Sequence, residues 1–275
     1  ANGTSAGSYN EYFGDYYSEI QGIDIDKEGY IIAAGHVPCG DSKWKVMKFY
    51  PNLTKLWDYS SDPSPNDDRL YDVAVDDMGY VYAVGCSNAS FNDNTALNCR
   101  QWRIEKISPE GELIWDYDVK YSVSWDVARA IEIDSDGNLI IVGYDELGGG
   151  GPNHQYRLEK WTPWGRLVWN YSTNPSTGAD FAYGVAVDSN NDIIIGGVKS
   201  DGGFVWYAEK IDSEGNKIWD YTKNLPNIPE YLNDIAVDNK GNMYLVGYYN
   251  KTGESFYEWA IEKLSPTSYL SLIHI

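Results

Sequence analysis

Basic residues are scarce in this chain: 21 Lys and Arg stand against 41 Asp and Glu, a formal net charge of −20. That balance excludes a protein built to hold nucleic acid, whose phosphates reward clustered cations, and equally a polybasic membrane anchor. No apolar run approaches the roughly 18 residues that a spanning helix needs, so no membrane span is expected. Helical periodicity is sustained nowhere. Three histidines, His36, His154 and His274, fall at unrelated positions, and no HExxH, ligand-spaced Cys/His pair or GxSxG elbow occurs. The run GGGGPNH (148–154) lacks the Lys-Ser/Thr of a phosphate loop and reads as a flexible connection. From these absences we expect no catalytic residue, no metal and no cofactor. Phenylalanine is also rare, 6 residues against 24 Tyr and 11 Trp. Flat amphipathic rings suit strands and sugar-binding faces alike.

What is present is repetition. IEKISPEGELIWDY (104–117) returns as LEKWTPWGRLVWNY (158–171) and AEKIDSEGNKIWDY (208–221), blurred as VMKFYPNLTKLWDY (46–59), and begins again as IEKLSPTSYLSLIHI at 261. Between these lie AIEIDSDGNLIIVGY (130–144), GVAVDSNNDIIIGGV (184–198), DIAVDNKGNMYLVGY (234–248), DVAVDDMGYVYAVGC (72–86) and GIDIDKEGYIIAAGH (22–36). Each unit therefore carries four short strands, a to d, separated by Asp/Asn-Gly turns. Trp44–Trp57, Trp102–Trp115, Tyr156–Trp169 and Trp206–Trp219 are all 13 apart, and each second Trp precedes the next strand-a Asp by 19. Length varies only between strands b and c.

Four strands repeated every 50–58 residues predict an all-β, five-bladed β-propeller of four-stranded antiparallel blades. The blades fall near 19–70, 71–127, 128–181, 182–232 and 233–275, behind an N-terminal arm of residues 1–18. The variable b–c loops and the d–a connections share one face, where function is expected. DFAYGVAVDSNNDIIIGGV (180–198) resembles the SBBP-type propeller repeat, and DIAVDNKGNMYLVG resembles the NHL repeat. The resemblance covers residues 19–275 and implies bacterial or archaeal extracellular proteins. It carries no catalytic residue, because such repeats define a scaffold.

Several residue sets remain. Lys48, Lys106, Lys160, Lys210 and Lys263 recur on strand c, preceded by Glu105, Glu159, Glu209 and Glu262, with Met47 in the first unit. A repeated ion pair or turn contact explains the lysines better than a ligand ring. Asp68, Asp126, Asp180 and Glu230 lie eight residues before the strand-a aspartate and form a candidate ligand or cation ring, or cap the d–a connection. Asp24 and Glu132 replace alanines on strand a and resemble the paired carboxylates of five-bladed glycosidases. The DxxGN turns offer calcium-like oxygens, but a carboxylate accepting turn N–H groups suffices. Trp125, Trp161 and Trp164 fall outside the repeated tryptophan positions and are candidate surface platforms.

Cys86 and Cys99 flank the longest b–c loop and can reach each other as a disulfide; Cys39 is left over. Sequons stand at Asn2, Asn52, Asn88, Asn170 and Asn250: Asn52 in a c–d turn, Asn88 and Asn250 in b–c loops, Asn170 on the outermost strand. The opening ANGTSAGS reads as the product of signal-peptide cleavage. The resulting expectation is a secreted, glycosylated, non-catalytic surface module, structural or adhesive. It would self-assemble or meet protein partners at the cell surface, as part of a layer or filament. A glycan-binding lectin-like propeller and a five-bladed glycosidase-type enzyme are the alternatives. At the ends, residues 269–275 are expected to close the fifth blade and residues 1–17 to form a free arm.

Overall fold

The computed structural model describes residues 7–13, 18–38, 42–92, 96–122, 125–147, 153–200, 202–223, 230–250 and 257–266. Among these, every regular element is a strand and none is a helix. The first sheet orders β1 (Glu19–Ile25), β2 (Ile31–Pro38), β3 (Ser42–Phe49) and β4 (Lys55–Ser61) as antiparallel neighbours. The second is β5 (Asp67–Val75), β6 (Val81–Asn92), β8 (Gln101–Ile107) and β9 (Leu113–Val119), with β7 (Ala96–Asn98) paired to the far end of β6. The third contains β10 (Val127–Ile133), β11 (Leu139–Glu146), β12 (His154–Trp161) and β13 (Leu167–Thr173). The fourth is β14 (Phe181–Val187), β15 (Ile193–Ser200), β16 (Phe204–Ile211) and β17 (Lys217–Lys223). The last, β18 (Glu230–Val237), β19 (Met243–Asn250) and β20 (Tyr257–Leu264), shows three described strands.

Five repeats thus give five antiparallel sheets. The chain divides into two compact units, residues 1–120 with 126–131, and residues 121–125 with 132–275.

The repeated letters have repeated structural duties. The strand-a aspartate turns the chain into strand b. Asp26, Asp76, Asp134, Asp188 and Asp238 each accept two backbone N–H bonds, from the residues two and four further on, at 2.8–3.1 Å. Gly29, Gly79, Gly137 and Gly241 supply the positive φ that the turn needs, and Asn191 (φ 61°) supplies it in the fourth sheet. The strand-c lysine reaches back to the same carboxylate: Lys48–Asp26 at 2.9 Å, Lys160–Asp134 at 2.8 Å and Lys210–Asp188 at 2.7 Å. Lys106 and Lys263 instead lie over the rings of Tyr80 (4.1 Å) and Tyr244 (5.1 Å). The lysine row is a fastening of strand c to the a–b turn.

The Trp-Asp-Tyr strand clamps one sheet to the next. Trp57 Nε1–H donates to the Pro109 carbonyl at 2.8 Å, and Trp169 Nε1–H to that of Ser213 at 3.3 Å. Both indoles lie over the c–d turn of the following sheet, where a Cβ on Gly111 would stand 2.9 Å from Trp57. The tyrosine two residues on meets the strand-c glutamate: Tyr171 hydroxyl donates to the buried Glu209 at 2.8 Å, and Tyr221 to the partly exposed Glu262 at 3.4 Å. Burial pushes the Tyr59 hydroxyl up to about 12, with the charge of Glu105 adding to it. Apolar side chains close the same seam, as Ile32, Trp44 and Val46 meet Leu70, Val73 and Ala83 in a fully buried cluster. Trp44, Trp102 and Trp206 are all fully buried, whereas their counterpart Trp259 on β20 is 93% exposed.

Residues 7–13 correct the expectation of a free arm. Tyr9 packs edge-on against Phe49 with ring centroids 4.8 Å apart, Glu11 pairs with Lys55 at 3.1 Å, and Phe13 joins Ala33, Met47 and Phe49. Tyr9 stands 17 residues before Asp26, as Tyr59 does before Asp76, so the segment takes the place of a preceding outer strand against the first sheet. Met47 stands where the other sheets carry glutamate, and there the cover is apolar. Residues 269–275 lie outside the described residues.

Candidate functional site

The first strands of neighbouring sheets come close together at two places, one in each unit. A Cβ on Gly22 of β1 would lie 2.9 Å from the Asp72 Cα of β5, and one on Gly184 of β14 equally close to the Asp234 Cα of β18. Each of these four strands carries a β-bulge, between Ile20 and Gly22, Leu70 and Asp72, Ala182 and Gly184, and Leu232 and Asp234. The bulge explains the glycine of each hhhhG motif. A Cβ on Gly35, Gly85, Gly197 or Gly247 would fall within about 2 Å of the carbonyl oxygen on the facing strand. Bulges re-aim side chains, and they mark this inner row as the place to look for chemistry.

In the first unit the acids of the inner row act as clips. Asp24 accepts the N–H of Ile25 and that of Val75 on the next inner strand, both at 2.7 Å. Asp72 does the same with Val73 (2.9 Å) and Ile131 (3.0 Å). Both oxygens of Asp24 are thereby committed to backbone, which gives this carboxylate a structural duty in place of its resemblance to a glycosidase acid. Beside them the Arg129 guanidinium lies 4.3 Å from the ring centre of Tyr71, the bulged residue of β5.

The second unit offers a different acid. Asp234 follows the β18 bulge and is exposed, and one of its oxygens accepts the Ile235 N–H at 2.8 Å. Crowding by the surrounding chain pushes its carboxyl above the ordinary carboxylate range, partly offset by that N–H bond. Glu132, near the end of β10, is also exposed. Sequence reasoning did not single out Asp234, whose counterpart in the second repeat is another aspartate, Asp72.

The second acidic set lies elsewhere. Asp68, Asp126, Asp180 and Glu230 are completely buried. Asp68 accepts Ser64 N–H and hydroxyl and the Asn88 N–H, while Asp180 accepts Ser176 N–H and hydroxyl and the Ser200 N–H. Burial pushes both carboxyls up against those bonds. Asp68 and Asp180 thus tie the d–a connection to the end of strand b. Among the described residues no cluster of three or more His, Cys, Asp or Glu is arranged to hold a metal.

Cys86 and Cys99 form a disulfide, with Cα atoms 5.7 Å apart. Cys39, Asn2 and His274 lie outside the described residues. Asn52 is exposed in the β3–β4 turn and Asn170 is exposed on β13, but Asn88 sits within β6 rather than a loop, at φ 60°. The second b–c connection continues as the β6–β7 hairpin, which explains that shift. Asn250 is the last residue of β19. Of the three unrepeated tryptophans, Trp161 is buried and donates to Glu159 at 2.8 Å, Trp125 packs 5.3 Å from His154, and Trp164 is 79% exposed on a turn.

No family model matches the sequence, and no curated protein matches it. Solved structures do. A PL25 ulvan lyase bound to -[GlcA(1-4)Rha3S]- superposes with a TM-score of 0.56 at 11% identity, over 88% of this chain and 68% of that one. A protein of unknown function from Bacteroides caccae gives 0.54 at 12% identity, over 86% and 73%. A gluconolactonase from Xanthomonas campestris gives 0.48 at 10% identity, over 88% and 71%. The chain therefore has a β-propeller-type fold. The expectation of a non-catalytic structural or adhesive module is corrected in favour of its enzyme alternative: the ulvan lyase that shares this fold is an enzyme.

Proposed function

We propose that the chain is a five-bladed propeller enzyme that cleaves carbohydrate, of the glycosidase type, with one sheet per blade. The observation that carries this reading is Asp234. It is an exposed carboxyl on an inner strand, next to a bulge, whose proton is held more tightly than usual by the protein around it. A general acid for glycosidic cleavage needs that combination, since it must arrive protonated and still reach the leaving oxygen. Glu132 supplies the second carboxylate, the base or nucleophile of such chemistry. The shared fold with a polysaccharide lyase supports the substrate class.

The assay is reducing-end release from a panel of soluble polysaccharides by the purified protein. Asp234→Asn should lower turnover on the best substrate by at least about a hundredfold while the fold is retained. A panel without turnover, or a fully active Asp234→Asn protein, refutes the reading. Export with glycans on Asn52, Asn88, Asn170 and Asn250 belongs to the same proposal, in keeping with the disulfide. Bare sequon peptides from native protein would remove it.

A further inference from the structure

The repeats separate scaffold from function: what every blade needs recurs, and what only some blades carry serves something else. One feature carried by the later repeats and not by the first two is large. In the second unit an unbroken row of rings runs through Tyr144, Phe181, Phe204, Tyr231, Tyr248 and Tyr257, in steps of 4.8, 5.8, 5.6, 5.1 and 5.1 Å. These residues stand near the beginnings of β14, β16, β18 and β20 and the ends of β11 and β19. They occupy the end of the sheets from which the b–c connections leave. The counterparts in the first two repeats include no Phe, Tyr or Trp. Glu19 and Arg69 stand at the position of Phe181 and Tyr231, Ser42 and Arg100 at that of Phe204, and His36 and Cys86 at that of Tyr144 and Tyr248. Inter-sheet packing therefore does not require rings here.

Apart from Tyr144, which is buried, the row is also not core. Phe181, Phe204, Tyr231 and Tyr248 are only half-buried, and Tyr257 is 57% exposed, whereas the repeated Trp206 is fully buried. Four members of this six-ring row are tyrosines, each joining an apolar face to a polar tip.

We propose that this aromatic row is the carbohydrate-stacking track of the protein, and that its ligand is a neutral polysaccharide. The inference rests on the carbohydrate reading above and names the substrate class. Pyranose rings present apolar C–H faces flanked by hydroxyls, which match successive half-buried rings with phenolic edges. Charge decides between neutral and acidic chains: a protein at −20 repels a polyanion along a surface with no repeated cation.

The experiment is affinity electrophoresis of the Asp234→Asn protein, which is disabled for cleavage under the proposed mechanism, through gels containing xylan, mannan, galactan, hydroxyethyl cellulose or polygalacturonate. At least one neutral polymer should retard it. Tyr231→Ala and Tyr248→Ala, made in the same background, should each weaken retardation roughly three- to tenfold. Tyr248→Phe, which keeps the ring, should bind within about twofold, and thermal unfolding confirms that each variant is folded. Folded alanine variants that bind like their parent overturn the track, even where wild-type turnover upholds the enzyme. Retardation by polygalacturonate alone overturns the neutral ligand, and retardation by no polymer overturns the track.

Discussion

Replacing Glu209 by methionine tests how the sheets are held together. Glu209 is fully buried and collects donors from two sheets. Tyr171 and Thr173 hydroxyls arrive from the third sheet at 2.8 and 3.2 Å, the Tyr207 hydroxyl and Lys217 ammonium from its own at 2.5 and 3.4 Å. Methionine is the residue that the first sheet carries at this place, Met47, so the backbone accepts it. The substitution removes charge-assisted bonds of about 1.5–3 kcal/mol each, but it also relieves the cost of burying a carboxylate, several kcal/mol. What stays uncompensated is the orphaned hydroxyls, above all that of Tyr207, whose ring is 4% exposed. A buried donor without an acceptor costs about 1–3 kcal/mol. The expected net loss is about 3 kcal/mol, a fall in melting temperature on the order of 10 °C. Removing the donors as well, in Glu209→Met with Tyr171→Phe and Tyr207→Phe, should bring stability back to within about 1 kcal/mol of wild type. Urea unfolding followed by tryptophan fluorescence reads both. A single variant that loses less than about 1 kcal/mol, or a triple variant less stable than the single, refutes the account.

Two further outcomes test the repeated turns. Gly111 has φ 90° and its Cβ would press on Trp57 at 2.9 Å, whereas Gly137 has φ 78° and nothing within 4 Å. Gly137→Ala should therefore cost about 1 kcal/mol of backbone strain, and Gly111→Ala clearly more, by urea midpoint; equal losses would show that Trp57 does not seat on that turn. Asp238 is held down to about 2 by the Asn242 side-chain amide, with turn N–H groups and the Tyr244 hydroxyl adding to it. A lowered acid stabilises the fold above its ordinary value of 3.8, and that contribution is lost as pH falls toward about 2. Asp238→Asn should flatten the stability profile in that window and leave the rest unchanged.

The parts of this molecule that repeat were legible in its sequence, and the reason is energetic. Trp57 and Trp169 must each find the next c–d turn, and every Asp26-type carboxylate must close its turn, so the same letters return at fixed spacing. Strand order, turn chemistry and the fastening lysines follow from such spacing without coordinates. The parts that do not repeat were hidden for the same reason. Asp234 and Asp72 share a register position, yet Asp72 clips two backbone N–H groups while Asp234 stands exposed with its carboxyl raised. That difference arises from neighbours on other strands and leaves no trace in the local sequence. Tyr9 was hidden differently: its segment lacks the tryptophan of the outer strand, and only its packing on Phe49 shows what it replaces. In a protein of tandem repeats, similarity between units reads out the scaffold. The proposed site lies where equivalent positions acquire different surroundings or different side chains: Asp234 keeps the residue type of Asp72, while Tyr231 and Tyr248 stand where the first repeat has Glu19 and His36.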